Sequence, residues 1–262
     1  MIETESNTAK YVIDDSIFCN SQLSFFDQLK PNQEVLPGIC WGYYGKLYTP
    51  AYWKIQYLMH SQNDDFSIQY KLGKNIKEEV VACLLGGFGL KAETGLAAFH
   101  RLVNRNLIKE GVGFNSILSS LVEPITIGDK QVRYRFPNQK SKFIFQFLNR
   151  ADLKNIPLEN DLKFRSWLMT INGIGPKTAS WITRNYLNSE NVAIIDIHIF
   201  RAGLIAGIFS EKFDIQKDYF KLEQIFIDFC KAIEVQPSRM DALMWLQMKE
   251  SNNIALNAIK QP

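Results

Sequence analysis

The sequence predicts a mostly α-helical protein, arranged as a two-lobed helical bundle. Of its 262 residues, 46% are hydrophobic and 13% are aromatic, which is enough for one or two compact domains with an apolar core. From residue 76 onward, apolar residues recur at helical spacing, and typical helix start and stop residues flank these segments. Strand-like alternation about a Gly-Asp pair predicts a small β-hairpin near 125–136.

The first predicted helix begins after Pro50, within the part of the chain that is hardest to interpret, residues 1–70. The stretch 36–53 is dense in glycine, proline and aromatic residues, and it predicts an ordered but irregular segment. Early acids and terminal glycines bound a helix over 76–87, and another helix follows Pro137. Further helices are predicted over residues 91–106, 160–171, 218–235 and 238–250.

Three regions are expected along the chain. Residues 1–70 form an irregular and partly helical N-terminal segment that packs on the C-terminal helices. Residues 71–206 form a helical lobe that contains two helices joined by a tight hairpin turn, at about 163–187. Residues 207–262 supply the C-terminal helices.

The most informative segment is a tight turn between two predicted helices, with the sequence INGIGPKTA at residues 171–179. Gly173 can adopt the positive φ that ends the first helix, and Gly175 allows another backbone to approach closely. Pro176 suits the first turn of the second helix, where its missing N–H costs nothing. The turn then directs free N–H groups outward from a helix N-terminus, which can bind a phosphate. Taken alone, the turn is equally consistent with a plain αα-hairpin.

A second informative segment is VAIIDIHIFRAG at residues 192–203, where Asp196 ends an apolar run. Aspartate is a favoured N-cap, and a helix is expected to follow. The carboxylate is flanked by Ile195 and Ile197, so we expect it to be partly buried. Burial of a carboxylate is costly unless it has a partner or a use. Capping and a functional role are compatible at this position.

Together, these two segments resemble the helix-hairpin-helix motif, Gly/Pro-rich loop and aspartate of the DNA glycosylase superfamily. The separation between Lys177 and Asp196 is similar to that in the members that resemble 8-oxoguanine DNA glycosylase. The resemblance covers residues 76–250 and is strongest over 168–203. Asn172 stands where the family often has proline, no cysteine cluster follows the hairpin, and the separate β-domain of some large members is not evident.

The resemblance implies a set of functional residues. Lys177 would attack the sugar C1′ and form a covalent imine, and Asp196 would stabilise the cationic sugar as the base departs. The residues implied for binding the DNA backbone are Gly173, Gly175, Lys140 and His198. Those implied for the base pocket are Asp241, which would accept hydrogen bonds from the base, Trp245, which would stack on it, and Phe88, which would fill the vacated stack.

The activity implied by the resemblance is that of a bifunctional DNA glycosylase with abasic-site (AP) lyase activity, which excises an oxidised purine such as 8-oxoguanine. Its partner would be double-stranded DNA with a damaged base, bound by a monomer without membrane contact. The four cysteines lie far apart, so neither a zinc site nor an iron–sulfur cluster is expected. No metal and no other cofactor is expected for the implied activity. The start of the chain does not resemble a secretion signal, and we expect a cytoplasmic protein, nucleoid-associated if prokaryotic.

Other interpretations of the same residues stay open. The protein could be a glycosylase for a different modified base, a non-catalytic helix-hairpin-helix DNA-binding protein, or a structural helical domain. Lys177 could be a phosphate contact or simply exposed, and His198 could only satisfy a local hydrogen bond. Asp241 and Trp245 could be ordinary residues of an apolar helix. The net charge of +3 and the basic stretch 130–150 are compatible with nucleic acid but do not require it.

Overall fold

The structure is a computed structural model that describes residues 30–61, 71–87 and 89–251. It is mostly helical, with two small antiparallel strand pairs, so the predicted fold class is confirmed. In chain order the elements are β1 (Glu34–Leu36), β2 (Ile39–Cys40), α1 (Pro50–Ser61), α2 (Ile76–Leu85), α3 (Ala92–Asn104), α4 (Phe114–Val122), β3 (Ile125–Ile127), β4 (Lys130–Val132), α5 (Pro137–Leu148), a 3-10 turn (Ala151–Lys154), α6 (Asp161–Leu168), α7 (Pro176–Leu187), α8 (Ile197–Ile205), α9 (Tyr219–Ala232) and α10 (Pro237–Glu250).

The predicted β-hairpin is the pair of β3 and β4, which are antiparallel with Ile125 opposite Val132. Gly128 has a φ of +56° in the turn between them, as the Gly-Asp pair requires. Helix α4 and the short β1–β2 pair are elements that the sequence pattern did not predict. The start of α1 at Pro50 agrees with the prediction, but the stretch 36–53 is less irregular than expected because it also contains the end of β1 and all of β2.

Helix ends follow the residues that the sequence places there. Asn75 and Asn160 cap α2 and α6, since each side-chain oxygen accepts a hydrogen bond from a backbone N–H, at 3.0 and 2.9 Å. Pro137, Pro176 and Pro237 each occupy the first turn of a helix, where a proline leaves no hydrogen bond unmade.

One hydrophobic core lies among α2 to α7. Its fully buried side chains include Leu84 of α2, Leu102 of α3, Ile117 of α4, Phe164 of α6 and Ile182 of α7. This core therefore supports both helices of the glycine-rich turn from one side.

A second core joins the N-terminal segment to α8, α9 and α10. Trp53 of α1 is fully buried in it, together with Ile199, Phe226 and Leu243. The Tyr52 hydroxyl donates a hydrogen bond of 2.8 Å to Gln247 of α10, which also links α1 to the end of the chain. The predicted division into residues 1–70, 71–206 and 207–262 stays a prediction, and residues 1–29 and 62–70 lie outside the described part of the chain.

Candidate active site

The turn between α6 and α7 is anchored by two buried isoleucines, Ile171 and Ile174. Gly173 lies between them with a φ of +91°, a conformation that side chains rarely adopt. A Cβ atom at this position would lie 2.5 Å from the ring of Phe143 and 3.1 Å from the side chain of Leu84. Gly173 is therefore required both by the backbone conformation and by the close packing of the turn on α5 and α2.

Gly175 differs from Gly173, because its backbone conformation is one that any residue can adopt. It is the N-cap of α7, with φ −94° and ψ 178°, and no side chain caps this helix end. A Cβ atom at Gly175 would have no protein atom within 4 Å. The N-terminus of α7 is thus open to solvent, with the geometry that suits an anion at a helix end.

Lys177 is exposed in the first turn of α7, directly after Pro176. Residues three and seven positions further on, Ser180 and Arg184, lie on the same face of the helix. Both of those residues are buried and face the C-terminal helices. Ser180 and Arg184 thus hold this helix face against the rest of the protein, and Lys177 lies at its exposed N-terminal end.

Asp196 caps α8, as the sequence predicts. Its Oδ1 atom accepts hydrogen bonds from the backbone N–H groups of His198, at 2.8 Å, and Ile199, at 3.0 Å. The residue is half-buried. Within the described residues, Oδ2 makes no hydrogen bond, so one carboxylate oxygen holds the helix while the other stays available to a ligand.

Asp241 lies deeper than the predicted base-pocket role requires. It is 2% exposed and forms an ion pair with Arg184, which is 5% exposed. Its Oδ2 atom also accepts a hydrogen bond of 2.9 Å from the backbone N–H of Ile194. Burial raises the pKa of Asp241 to about 7, although the neighbouring guanidinium acts in the opposite direction. This position favours the structural interpretation of Asp241 over a contact with a base.

Trp245 and His198 lie together where α10 meets α8. Their ring centroids are 6.4 Å apart in an edge-to-face arrangement, and the amine of Lys249 lies 4.7 Å above the indole ring. Trp245 is half-buried. The Nδ1 atom of His198 is buried and has no hydrogen-bond partner in the described structure. An unsatisfied nitrogen next to an aromatic face is a feature that a bound ligand could complete.

Lys140 contacts the loop after α2 instead of extending into solvent. Its amine donates a hydrogen bond of 3.1 Å to the carbonyl oxygen of Gly86, and burial lowers its pKa. Phe88, the predicted wedge residue, lies outside the described residues. Arg150, from the basic stretch, pairs with Asp152 and with Thr170 at the end of α6. Part of the basic stretch is therefore structural.

Two residues that the sequence pattern did not single out join the site to α9. Glu223 and Tyr219 lie four positions apart on this helix, and both are buried against the segment that precedes Asp196. The sequence signal that could have identified Glu223 is an acidic residue on an otherwise apolar helix face, since its neighbours on α9 include Leu222, Phe226 and Ile227.

No group of three or more His, Cys, Asp or Glu side chains suited to a metal ion occurs within residues 30–61, 71–87 and 89–251. Over the same ranges, no helix has the length and apolar character needed to cross a bilayer.

A comparison with known protein families shows which family this chain belongs to. The sequence profile of a family described as 8-oxoguanine DNA glycosylase matches residues 59–235, which include the hairpin, Lys177 and Asp196. The chain belongs to the 8-oxoguanine DNA glycosylase family. The resemblance stated from the sequence motifs is therefore confirmed.

Individual members of this family are moderately similar to the chain. The 8-oxoguanine DNA glycosylase/AP lyase of Metallosphaera sedula is 30% identical over 138 residues, which are 49% of this chain and 65% of that protein. The enzyme of the same description from Fusobacterium nucleatum is 28% identical over 151 residues, covering 53% and 67% of the two chains. The chain thus aligns with about two thirds of these relatives' own length.

Solved structures of the family share the fold. The crystal structure of the 8-oxoguanine DNA glycosylase of Thermotoga maritima superposes with a TM-score of 0.55 at 22% identity, covering 76% of this chain and 97% of that one. The Methanocaldococcus jannaschii 8-oxoguanine glycosylase/lyase, in complex with a 15mer DNA containing 8-oxoguanine, gives a TM-score of 0.55 at 21% identity, covering 75% and 97%.

Proposed function

We propose that the protein is a bifunctional DNA glycosylase and AP lyase that excises an oxidised purine, 8-oxoguanine, from double-stranded DNA. One observation carries the proposal: in a chain of this family, two helices each begin with a candidate catalytic residue. Lys177 is in the exposed first turn of α7, and Asp196 caps α8 with one oxygen left available. A module that only bound DNA would not need this lysine and this aspartate at this spacing.

In the first step, the hairpin holds the DNA backbone. The open N-terminus of α7 presents N–H groups and the positive end of the helix dipole to a phosphate oxygen. Gly175 leaves room for the phosphate, and Gly173 shapes the turn. His198 and Lys140 complete the backbone contacts, Lys140 after release from the Gly86 carbonyl. Such contacts hold the duplex in place without reading its sequence.

In the second step, the damaged nucleotide leaves the base stack. A base within a duplex cannot reach a catalytic amine, so it must be extruded into a pocket. Trp245 offers the ring on which the base stacks, next to the imidazole ring of His198. Phe88 would fill the gap in the duplex. Asp241 supports this pocket from below through Arg184 and does not itself contact the base.

In the covalent step, the neutral amine of Lys177 attacks the sugar C1′, and the C1′–N bond to the base breaks. The base leaves with the electron pair of that bond and takes up a proton. The attached amine gives up one proton, and O4′ takes up a proton as it leaves C1′, so the sugar ring opens to a protonated imine. Loss of a proton from C2′ then expels the 3′ phosphate with the electron pair of the C3′–O bond, and water hydrolyses the imine to release an unsaturated aldehyde and regenerate Lys177. Because Lys177 is exposed in the free chain, bound DNA must exclude water from it.

Asp196 supplies negative charge where positive charge develops on the sugar. Its Oδ1 atom is fixed by two backbone N–H groups of α8, so the carboxylate cannot reorient freely. A preorganised charge in a site closed by DNA stabilises the oxocarbenium-like state more strongly than the same charge in water.

The test is borohydride trapping of the wild-type protein against a panel of duplexes, each with one modified base, and against an abasic-site duplex. We expect a covalent adduct and strand cleavage with the 8-oxoguanine duplex. An adduct that forms with another modified base but not with 8-oxoguanine would show that the substrate is that other base. DNA binding without any adduct, even on the abasic duplex, would contradict the proposed enzymatic activity and would indicate a non-catalytic DNA-binding module.

A further inference from the structure

The segment 192–195, directly before Asp196, is mostly buried but belongs to no helix or strand. Buried backbone N–H and C=O groups need hydrogen-bond partners, and a strand would normally find them in a neighbouring strand. Here the partners are side chains from the two C-terminal helices. The position of Asp196 therefore depends on residues far away in the sequence.

Helix α9 supplies most of these partners through Tyr219 and Glu223. The Tyr219 hydroxyl donates a hydrogen bond of 3.0 Å to the carbonyl oxygen of Ala193 and accepts one of 3.4 Å from the N–H of Ile195. Glu223 Oε1 accepts a hydrogen bond of 3.1 Å from the N–H of Ala193. One face of α9 therefore binds the N–H and C=O groups of Ala193 and the N–H group of Ile195, just before Asp196.

Glu223 also binds the two helices of the hairpin. Its Oε1 atom accepts a hydrogen bond of 2.8 Å from the hydroxyl of Ser180 in α7, and Oε2 pairs with Arg165 of α6. Glu223 is 3% exposed, and these partners compensate for the removal of its side chain from water. A single carboxylate therefore connects the helix that carries Lys177 to the segment that carries Asp196.

We propose that Tyr219 and Glu223 are positioning residues for base release, which set Asp196 relative to Lys177. Lys177 lies three residues before Ser180, about 4.5 Å along the helix axis. Asp196 lies three residues after Ala193, at most about 10 Å along the chain. The connections are short enough that a shift of the α9 face would move one group relative to the other. This inference rests on the proposed function.

The primary test is Tyr219→Phe, which removes one hydroxyl and keeps the buried ring. Tyr48→Phe is the matched control, because Tyr48 is a buried tyrosine of the same core whose hydroxyl bonds Ser251 at 2.6 Å, away from the segment before Asp196. Each variant is measured for single-turnover base excision from an 8-oxoguanine duplex and for borohydride trapping on a preformed abasic site. Thermal unfolding shows whether the two variants lose comparable stability.

We expect Tyr219→Phe to slow base excision by about tenfold or more, because small misplacements near reacting groups cost up to about a hundredfold. Trapping on the abasic site should stay close to the wild-type rate, since the base has already left. Tyr48→Phe should leave both rates unchanged. Equal excision rates in the two variants would overturn the positioning role.

Glu223→Gln provides a second variant if Tyr219→Phe does not fold. Glutamine keeps an oxygen for Ala193 and Ser180 but loses the charge that pairs with Arg165. The same split is expected, with slower excision and retained trapping, and unchanged excision would contradict the inference. Failure of the wild-type protein to excise or trap would refute the proposed function instead, so the two failures are distinguishable.

Discussion

Gly175→Val separates the proposed phosphate contact from the stability of the fold. Gly175 is exposed and has an ordinary φ of −94°, and a Cβ atom added there would have no protein atom within 4 Å. A valine should therefore cost little stability in the free protein. The two methyl groups would instead occupy the space in front of the α7 N-terminus, where a phosphate oxygen would bind.

The expected loss follows from the contacts that the phosphate would make there. A hydrogen bond to a charged group contributes about 1.5–3 kcal/mol, so losing one such contact should weaken binding by roughly ten- to a hundredfold. Because the contact is to the backbone, the loss should be equal for damaged and undamaged duplexes. The contrast is Gly173→Ala, which should destabilise the fold, since a left-handed residue costs about 1–2 kcal/mol before the clash with Phe143 is included.

The assay is fluorescence anisotropy with both duplexes at fixed salt, combined with urea unfolding. Gly113→Val is the matched control, because Gly113 is also an exposed helix N-cap with extended backbone and no side-chain cap, at the start of α4. We expect wild-type affinity for this control. Unchanged affinity of Gly175→Val for both duplexes would refute the phosphate site at α7.

Three further outcomes are expected. Trp245→Ala should lose about 1–3 kcal/mol of binding to a damaged-base duplex and little on an abasic duplex, measured by anisotropy, whereas equal losses would mark a core residue. Asp196→Asn keeps an oxygen for the α8 cap but removes the charge, so single-turnover base release should slow by the equivalent of about 3–4 kcal/mol while abasic-site trapping persists; an unchanged rate of release would exclude the electrostatic role. Arg184→Met should lower the free energy of unfolding by about 3–5 kcal/mol, because Asp241 stays buried without its partner, whereas Arg105→Met, at an exposed pair, should have a much smaller effect; equal urea midpoints for the two variants would contradict this assignment.

Local signals predicted the turn and every described helix that could be recognised by its start, its end or its apolar spacing, but not α4. Pro176, Gly173 and Asp196 each act on backbone groups within a few residues, so their roles could be inferred from the sequence and agree with the structure. Helix α4 was missed because its nine residues include Ser116, Ser119 and Ser120, which weaken the helical pattern. Strands of two and three residues, such as β2 and β1, are too short to show alternation.

The environment of the site residues could not be predicted, because it depends on distant parts of the chain. Asp241 finds its partner, Arg184, 57 positions earlier, and Lys140 finds the Gly86 carbonyl 54 positions earlier. The spacing of Asp241 and Trp245 placed both on one helix but could not show how deeply each is buried. The link through Glu223 likewise requires knowledge of how α9 packs against the hairpin.

The central claim is that Lys177 is the nucleophile, and Lys177→Gln tests it most directly. Glutamine keeps length and polarity at an exposed position, so folding and duplex binding should be nearly unchanged. Borohydride trapping on both an 8-oxoguanine duplex and a preformed abasic site is expected to disappear, together with strand cleavage. If Lys177→Gln forms the covalent adduct at the wild-type rate, the nucleophile is another amine and the assignment of this site is wrong.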